Sequence, residues 1–216
     1  MSTIKVLITR PEHDDVVKYL SDWSHDILIF AKDKGITCKD LGSKDVNRKE
    51  FEKVIKNISP SFVMFNGHGF EDRILGHKDE PLIIQGENEH LLKDMIVYAV
   101  SCNAGASLGS EMVEKGCNAF IGYKDKFAFL TDNNRECIPE EDELALPFKE
   151  ASNEVPHALI KGNAAKVAYD KSQNKCKELI KKYSSSDAAL EAASIRFWLF
   201  WNMENQVIFG NPESKI

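Results

Sequence analysis

Short apolar runs alternate with segments of helical period along most of this chain, and this alternation is the feature that most limits its fold. Six runs have strand character: TIKVLIT (3–9), DILIFA (26–31), SFVMFN (61–66), MIVYAVS (95–101), NAFIGY (118–123) and NQVIFG (205–210). Runs that are apolar without alternation are typical of strands buried on both faces. The order therefore predicts an α/β fold: a three-layer sandwich around a mainly parallel six-stranded sheet.

Helices are predicted between and after these runs. Asn47 precedes RKEFEKVIKNI, whose apolar residues share one face, as in a capped amphipathic helix. The other predicted helices are PEHDDVVKYLSDW, 105–115, 157–183 and 187–204. We interpret the aromatic stripe of the last helix as core; it consists of Phe197, Trp198, Phe200 and Trp201. DRIL and PLIIQ predict a small β-hairpin inserted beside the sheet, and 124–145 reads as a long loop.

Composition narrows the class of protein. With 216 residues and 43% hydrophobic content, the chain is expected to form a single domain over 1–216. Its net charge of -6 argues against nucleic acid as a partner. Because no apolar run approaches the roughly 18 residues of a membrane span and no signal-peptide core is present, we expect no membrane contact and a cytoplasmic location. The five cysteines form no CxxC pair, so no metal, cofactor or disulfide framework is expected.

Two polar motifs end neighbouring apolar runs. FVMFNGHGF places His68 between two glycines, and MIVYAVSCNAG delivers Cys102 at the end of the next long run. Parallel strands would bring both residues to one sheet edge, where α/β folds hold their ligand sites. A cysteine nucleophile needs a neighbouring base, and an imidazole with its ordinary pKa of about 6.5 supplies one. The sequence predicts a catalytic dyad of His68 and Cys102, with the backbone N–H groups of Gly69 and Cys102 as the oxyanion hole.

FNGHG and YAVSCNAG together resemble the histidine and cysteine motifs of the caspase-like (clan CD) cysteine peptidases. NQVIFGNP is similar to the closing strand of the CHAT-domain and gingipain-like branch, which the chain resembles most. The resemblance implies endopeptidase activity through a thioacyl-enzyme, without a cofactor. It also implies a protein or peptide substrate and control by a regulatory protein partner.

The chain departs from the caspases themselves. Val100 stands where caspases carry a glutamine, and 34 positions separate His68 from Cys102, fewer than the roughly 50 of caspases. CHAT-like relatives often cleave after basic residues, using an acid in the loop after the fifth strand. Asp125 and Asp132 lie in that loop and are our candidates for an S1 pocket that pairs with a basic P1 residue. We further hypothesise that the chain cleaves itself within the 132–146 segment.

Two other readings stay open. One is a class I glutamine amidotransferase, but that class has a G-x-C-x-G elbow with its histidine downstream. Here the flanks are V-S-C-N-A and the histidine lies upstream. The other is a non-catalytic, caspase-like or flavodoxin-like module that binds a partner. Labelling of Cys102 by an electrophilic peptide separates enzyme from module.

Overall fold

The computed structural model describes residues 5–132, 134–135, 138–185 and 191–216. The strands in these ranges are β1 Lys5–Arg10, β2 Thr37–Gly42, β3 Phe62–Asn66, β4 Gly69–Phe70, β5 Arg73–Leu75, β6 Pro81–Ile84, β7 Ile96–Val100, β8 Ala119–Tyr123 and β9 Gln206–Gly210. The α-helices are α1 Asp15–Asp33, α2 Arg48–Ile58, α3 Leu108–Glu114, α4 Leu146–Ile160, α5 Ala165–Lys182 and α6 Ala192–Asn205. None of these helices has the length and apolar character needed to cross a membrane.

Six strands form the main sheet in the order β2-β1-β3-β7-β8-β9. All neighbours are parallel except β8 and β9, which are antiparallel. The remaining strands form a separate antiparallel sheet, β4-β5-β6. The mainly parallel six-stranded sheet and the inserted hairpin are thus confirmed, and the hairpin gains β4 as a third strand. This order makes β3 and β7 direct neighbours.

The core lies on both faces of the main sheet. Along β3, Phe62 and Met64 belong to the apolar cluster that contains α1, α4, α5 and α6. Val63 and Phe65 belong to the cluster that contains α2, α3 and the small sheet. This alternation follows from the two-residue period of a strand. It produces the three layers that the sequence predicts.

The predicted second strand is wrong, because DILIFA belongs to α1. The buried residues Leu20, Trp23, Ile27 and Ala31 recur at helical spacing through this segment, so one helical face is covered by the sheet. The actual second strand, β2, lies at the edge of the sheet and is only partly buried. An edge strand needs little apolar sequence, which is why TCKDLG gave no strand signal.

The C-terminal helices also differ from the prediction. The segment predicted as one helix over 157–183 contains the end of α4 and all of α5, and Gly162 lies between them at φ 80°. Most of α4 falls before 157, where Pro156 inside the helix weakens the helical signal. The interpretation of the α6 aromatics as core is wrong for Phe197 and Phe200, which are 55% and 53% exposed. The buried face of α6 contains Ile195, Leu199 and Asn202 instead.

Candidate active site

His68 and Cys102 follow two neighbouring parallel strands. β3 pairs with β7 in register up to Asn66 and Val100, so the chain leaves both strands at the same edge of the sheet. There, the Gly67 N–H donates to the Val100 carbonyl at 3.3 Å. The Ser101 hydroxyl donates to the His68 carbonyl oxygen at 2.8 Å. The backbone of His68 is therefore bonded to the residue that directly precedes Cys102.

The two glycines around His68 permit this close approach. Gly67 has φ +142°, which side chains rarely adopt, and an added Cβ would lie 2.8 Å from the Leu75 carbonyl oxygen. At Gly69 an added Cβ would overlap the Ser101 hydroxyl and lie 2.9 Å from the Cys102 carbonyl oxygen. The backbone of Gly69 thus runs directly beside the Cys102 segment.

Asp14 is a member of this site that the sequence analysis missed. His68 Nε2 lies 2.8 Å from Asp14 Oδ2, while Asp14 Oδ1 accepts the Val17 N–H at 2.9 Å and caps α1. Partial burial alone would raise the pKa of Asp14, but hydrogen bonds from the Val17 N–H and from His68 outweigh it and lower that pKa. Asp14 is therefore an acceptor, and His68 Nε2 carries the hydrogen. The only sequence signal was a helix cap, and 54 positions separate it from His68.

Cys102 is half-buried, and its thiol donates weakly to the Phe127 carbonyl oxygen at 3.9 Å. Burial raises the pKa of the Cys102 thiol, and the positive charge of Lys126 offsets only part of that rise. Within the described part of the chain, no hydrogen bond joins this sulfur to His68, whose Nε2 is held by Asp14. The thiol is consequently protonated at neutral pH in this arrangement.

The two S1 candidates occupy different surroundings. Asp125 accepts the Asn103 N–H on its backbone carbonyl at 3.1 Å, and its charge acts on the Cys102 thiol. Asp132 instead accepts both N–H groups of Asn134 on one carboxylate oxygen at 2.9 Å. The structure thus bonds the backbone of Asp125 to the residue after Cys102, and among the described residues it shows no such bond for Asp132.

The loop after β8 that contains Asp125 is held by α6. The Trp201 indole N–H donates to the Lys126 carbonyl at 2.9 Å. The Asn202 side chain accepts from the Ala128 N–H and donates to the Ala128 carbonyl, at 3.0 and 2.7 Å. The ring of Phe127 packs against Tyr123 with 4.7 Å between centroids. A fixed loop therefore forms one wall beside Cys102, as a specificity pocket requires.

One group among the described residues has the composition of a metal site. His13, Asp14 and His68 each offer a ligand atom, and these atoms lie within 4.8 Å of one another. The sequence analysis does not single out His13. The fold brings it to His68.

No protein-family model matches the chain, and no curated protein does. Among solved structures, it is similar to the complex of the pro- and mature domains of RgpB from Porphyromonas gingivalis, with a TM-score of 0.63, 13% identity and 98% of this chain covered. It is also similar to the Arg specific cysteine proteinase gingipain R (RgpB), with a TM-score of 0.64, 13% identity and 99% covered. The match covers 48% and 47% of those chains, so this chain spans about half their length.

Proposed function

We propose that this chain, which has the fold of the caspase-like cysteine peptidases, is itself a cysteine endopeptidase that uses His68 and Cys102. The observation that carries the proposal is the arrangement at the end of β3 and β7. A histidine oriented by a partly exposed carboxylate and a cysteine follow neighbouring strands at the edge where parallel sheets hold their ligands. On this proposal, residues 1–216 act as one peptidase domain, and the more specific likeness to CHAT-domain proteases stays a prediction.

Asp14 determines which ring nitrogen of His68 can accept a proton. Because Asp14 accepts the hydrogen on Nε2, the Nδ1 atom of neutral His68 has a free lone pair. That nitrogen takes the proton of Cys102 while the sulfur attacks the carbonyl carbon of the scissile peptide. The carboxylate also stabilises the imidazolium that forms. We therefore infer a positioning role for Asp14 in addition to the dyad.

The remaining steps follow from this proton position. The Gly69 and Cys102 N–H groups donate to the oxyanion of the tetrahedral intermediate. When the intermediate collapses, the C–N bond breaks, the amine leaves with the proton of His68, and a thioacyl-enzyme remains. Water then attacks the thioester as His68 Nδ1 takes its proton. The carboxylic acid departs, and the proton returns to the Cys102 sulfur.

Reaction of Cys102 with a peptide carrying an electrophilic group tests this assignment. We expect labelling of the wild-type chain, none in Cys102→Ala, and a loss of at least about 100-fold in His68→Ala, the scale of a lost general base. Cys38→Ala is the matched control, because Cys38 is also a half-buried free thiol. Absence of labelling in the wild type under all conditions would contradict the proposal and favour the non-catalytic, partner-binding alternative.

Asp125 is our choice for the base of the S1 pocket, with Asp132 as the second candidate. The hydrogen bond from the N–H of Asn103, the residue after Cys102, to the Asp125 carbonyl supports this choice, and one similar structure is described as Arg specific. Arg or Lys at P1 would pair with the carboxylate. We expect Asp125→Asn to lower kcat/KM for P1-Arg peptides while sparing P1-Ala peptides, with Asp132→Asn as control. A wild-type profile without preference for basic P1 residues would refute the pocket assignment.

Control by a partner or by processing is also part of the proposal. The complex of RgpB with its pro-domain supports regulation by another polypeptide in that protein. In this chain, Arg135 is exposed and bonds Glu141 at 2.8 Å within the 132–146 segment. Residues 133, 136 and 137 lie outside the described residues. Mass spectrometry of the active protein tests self-cleavage, and an intact chain at full activity would exclude it.

A further inference from the structure

Three separate segments bring imidazole and carboxylate groups together around His68. Asp14 Oδ2 lies 2.8 Å from His68 Nε2 and 3.5 Å from His13 Nε2. Asp79, from the turn between β5 and β6, places Oδ1 3.3 Å from the same His13 nitrogen. The ring of His77 lies 5.4 Å from that of His13, centroid to centroid. The peptidase reaction proposed above uses two of these five residues and gives the others no role.

The separations fit a small tetrahedral cation. Tetrahedral Zn²⁺ at about 2.0–2.1 Å from its ligands holds neighbouring ligand atoms about 3.3 Å apart. The Asp14–His68, Asp79–His13 and Asp14–His13 distances of 2.8, 3.3 and 3.5 Å bracket that value, and the ligand atoms of His13, Asp14 and His68 all lie within 4.8 Å of one another. Asp14 is also fixed in direction, since its other oxygen is bonded to the Val17 N–H. Such support of a ligand by an outer hydrogen bond is typical of metal sites.

Two buried nitrogens in the cluster have no partner. His13 Nδ1 and His77 Nδ1 are inaccessible to solvent, and neither forms a hydrogen bond within the described part of the chain. These are not the ligating atoms, because His13 contacts Asp14 and Asp79 through Nε2; the buried Nδ1 atoms show that the two rings are enclosed by protein. The His13 side chain is only 11% exposed. A loosely solvated surface histidine would have neither property.

We propose that His13, Asp14 and His68 bind Zn²⁺, with Asp79 as the available fourth ligand. Imidazole nitrogens combined with carboxylate oxygens suit Zn²⁺ and related transition metals, whereas Ca²⁺ requires six to eight oxygens. The nitrogen ligands therefore favour Zn²⁺ and related transition metals over Ca²⁺. The spacing of these residues in the sequence did not reveal the site, because only His13 and Asp14 are neighbours in the chain.

Bound Zn²⁺ and catalysis are mutually exclusive in this geometry, a consequence that rests on the proposed peptidase function. Coordination requires a lone pair on His68 Nε2, which in the catalytic arrangement carries the hydrogen donated to Asp14. Zn²⁺ therefore leaves the neutral ring with its hydrogen on Nδ1. An Nδ1–H group cannot accept the proton of Cys102. Metal binding thus removes the general base while leaving the cysteine intact.

Calorimetric titration with Zn²⁺ tests binding without any need for activity. We expect one site per chain in the wild type, unchanged affinity in the surface control His90→Ala, and binding retained in Cys102→Ala. His13→Ala and Asp14→Asn should each raise the Kd for Zn²⁺ by at least 10- to 100-fold, which is the loss of affinity when a supporting contact of a metal site is removed. Asparagine is itself a good helix cap, so Asp14→Asn preserves the start of α1 if His13→Ala fails to fold.

Three results would overturn the site: no binding in the wild type, unchanged binding in both ligand variants, or loss of binding in Cys102→Ala, which would move the metal to the thiol. Excess Ca²⁺ should not compete. The inhibitory consequence is then read from Cys102 labelling with and without Zn²⁺, each variant compared with its own metal-free rate. Binding without inhibition would refute the tautomer argument alone, and absence of labelling in metal-free wild type would refute the peptidase proposal instead.

Discussion

Gly69→Ala tests the claim that the His68 segment and the Cys102 segment must touch. An added Cβ would overlap the Ser101 hydroxyl and would lie 2.9 Å from the Cys102 carbonyl oxygen and 3.2 Å from the Arg73 carbonyl oxygen. The hydroxyl can rotate, but it then gives up its hydrogen bond to the His68 carbonyl. The two carbonyls are backbone atoms and cannot rotate away. The β4 backbone must therefore move away from the end of β7.

The expected cost combines overpacking with the lost hydrogen bond. Overpacking typically costs 1–3 kcal/mol and a neutral hydrogen bond about 1 kcal/mol, so we expect a loss of about 2–4 kcal/mol. For a chain of this size the loss corresponds to a fall in Tm of roughly 4–16 °C. The Gly69 N–H moves with the backbone. Because one misplaced oxyanion donor costs about 10²–10³-fold, labelling of Cys102 by the peptide electrophile should slow by that factor.

Thermal unfolding and the labelling rate are measured on the same preparation. Gly162→Ala is the control: unlike Gly69, Gly162 has a φ of +80° that side chains rarely adopt, but no atom lies within 4 Å of an added Cβ. It should lose only the roughly 1–2 kcal/mol of left-handed strain and keep the wild-type labelling rate. A Gly69→Ala protein with unchanged Tm would refute the close approach. One with lowered Tm and undiminished labelling would refute the oxyanion role.

Two other measurements address the loop and the thiols. Asp142 is buried, and its carboxylate accepts hydrogen bonds from the Tyr19 hydroxyl at 2.6 Å and from the Asp132 and Leu144 N–H groups. Because each hydrogen bond to a charged group contributes about 1.5–3 kcal/mol, Asp142→Ala should lower the free energy of unfolding in urea by about 3 kcal/mol or more. An unchanged unfolding midpoint would contradict this. Burial raises the pKa of Cys102, so its alkylation by iodoacetamide, followed by peptide mapping, should be slow at pH 7 and rise beyond pH ~9, where free thiols ionise. A maximal rate already at pH 7 would instead indicate a preformed thiolate.

The buried strands were predictable because their side chains meet protein on both faces. β3, β7 and β8 are buried at every position, and each appears in the sequence as an uninterrupted apolar run. The start of α2 was equally clear, since Asn47 accepts the Glu50 N–H as a local cap. β2 was missed because an edge strand has no such burial. α4 was missed because Pro156 inside it opposes a helix that packing against α1 and α5 stabilises.

The sequence by itself determined the α/β class, the neighbouring ends of two apolar runs, and the histidine and cysteine that follow them. These are local properties, since apolar runs and glycine-flanked polar residues are visible within a few positions. Only the tertiary structure showed that Asp14 is bonded to His68, that the backbone of Asp125 is bonded to Asn103, the residue after Cys102, and that His13 lies beside Asp14 and His68. These contacts join segments that are distant in the sequence, and they form because the chain brings those segments to the same edge of the sheet.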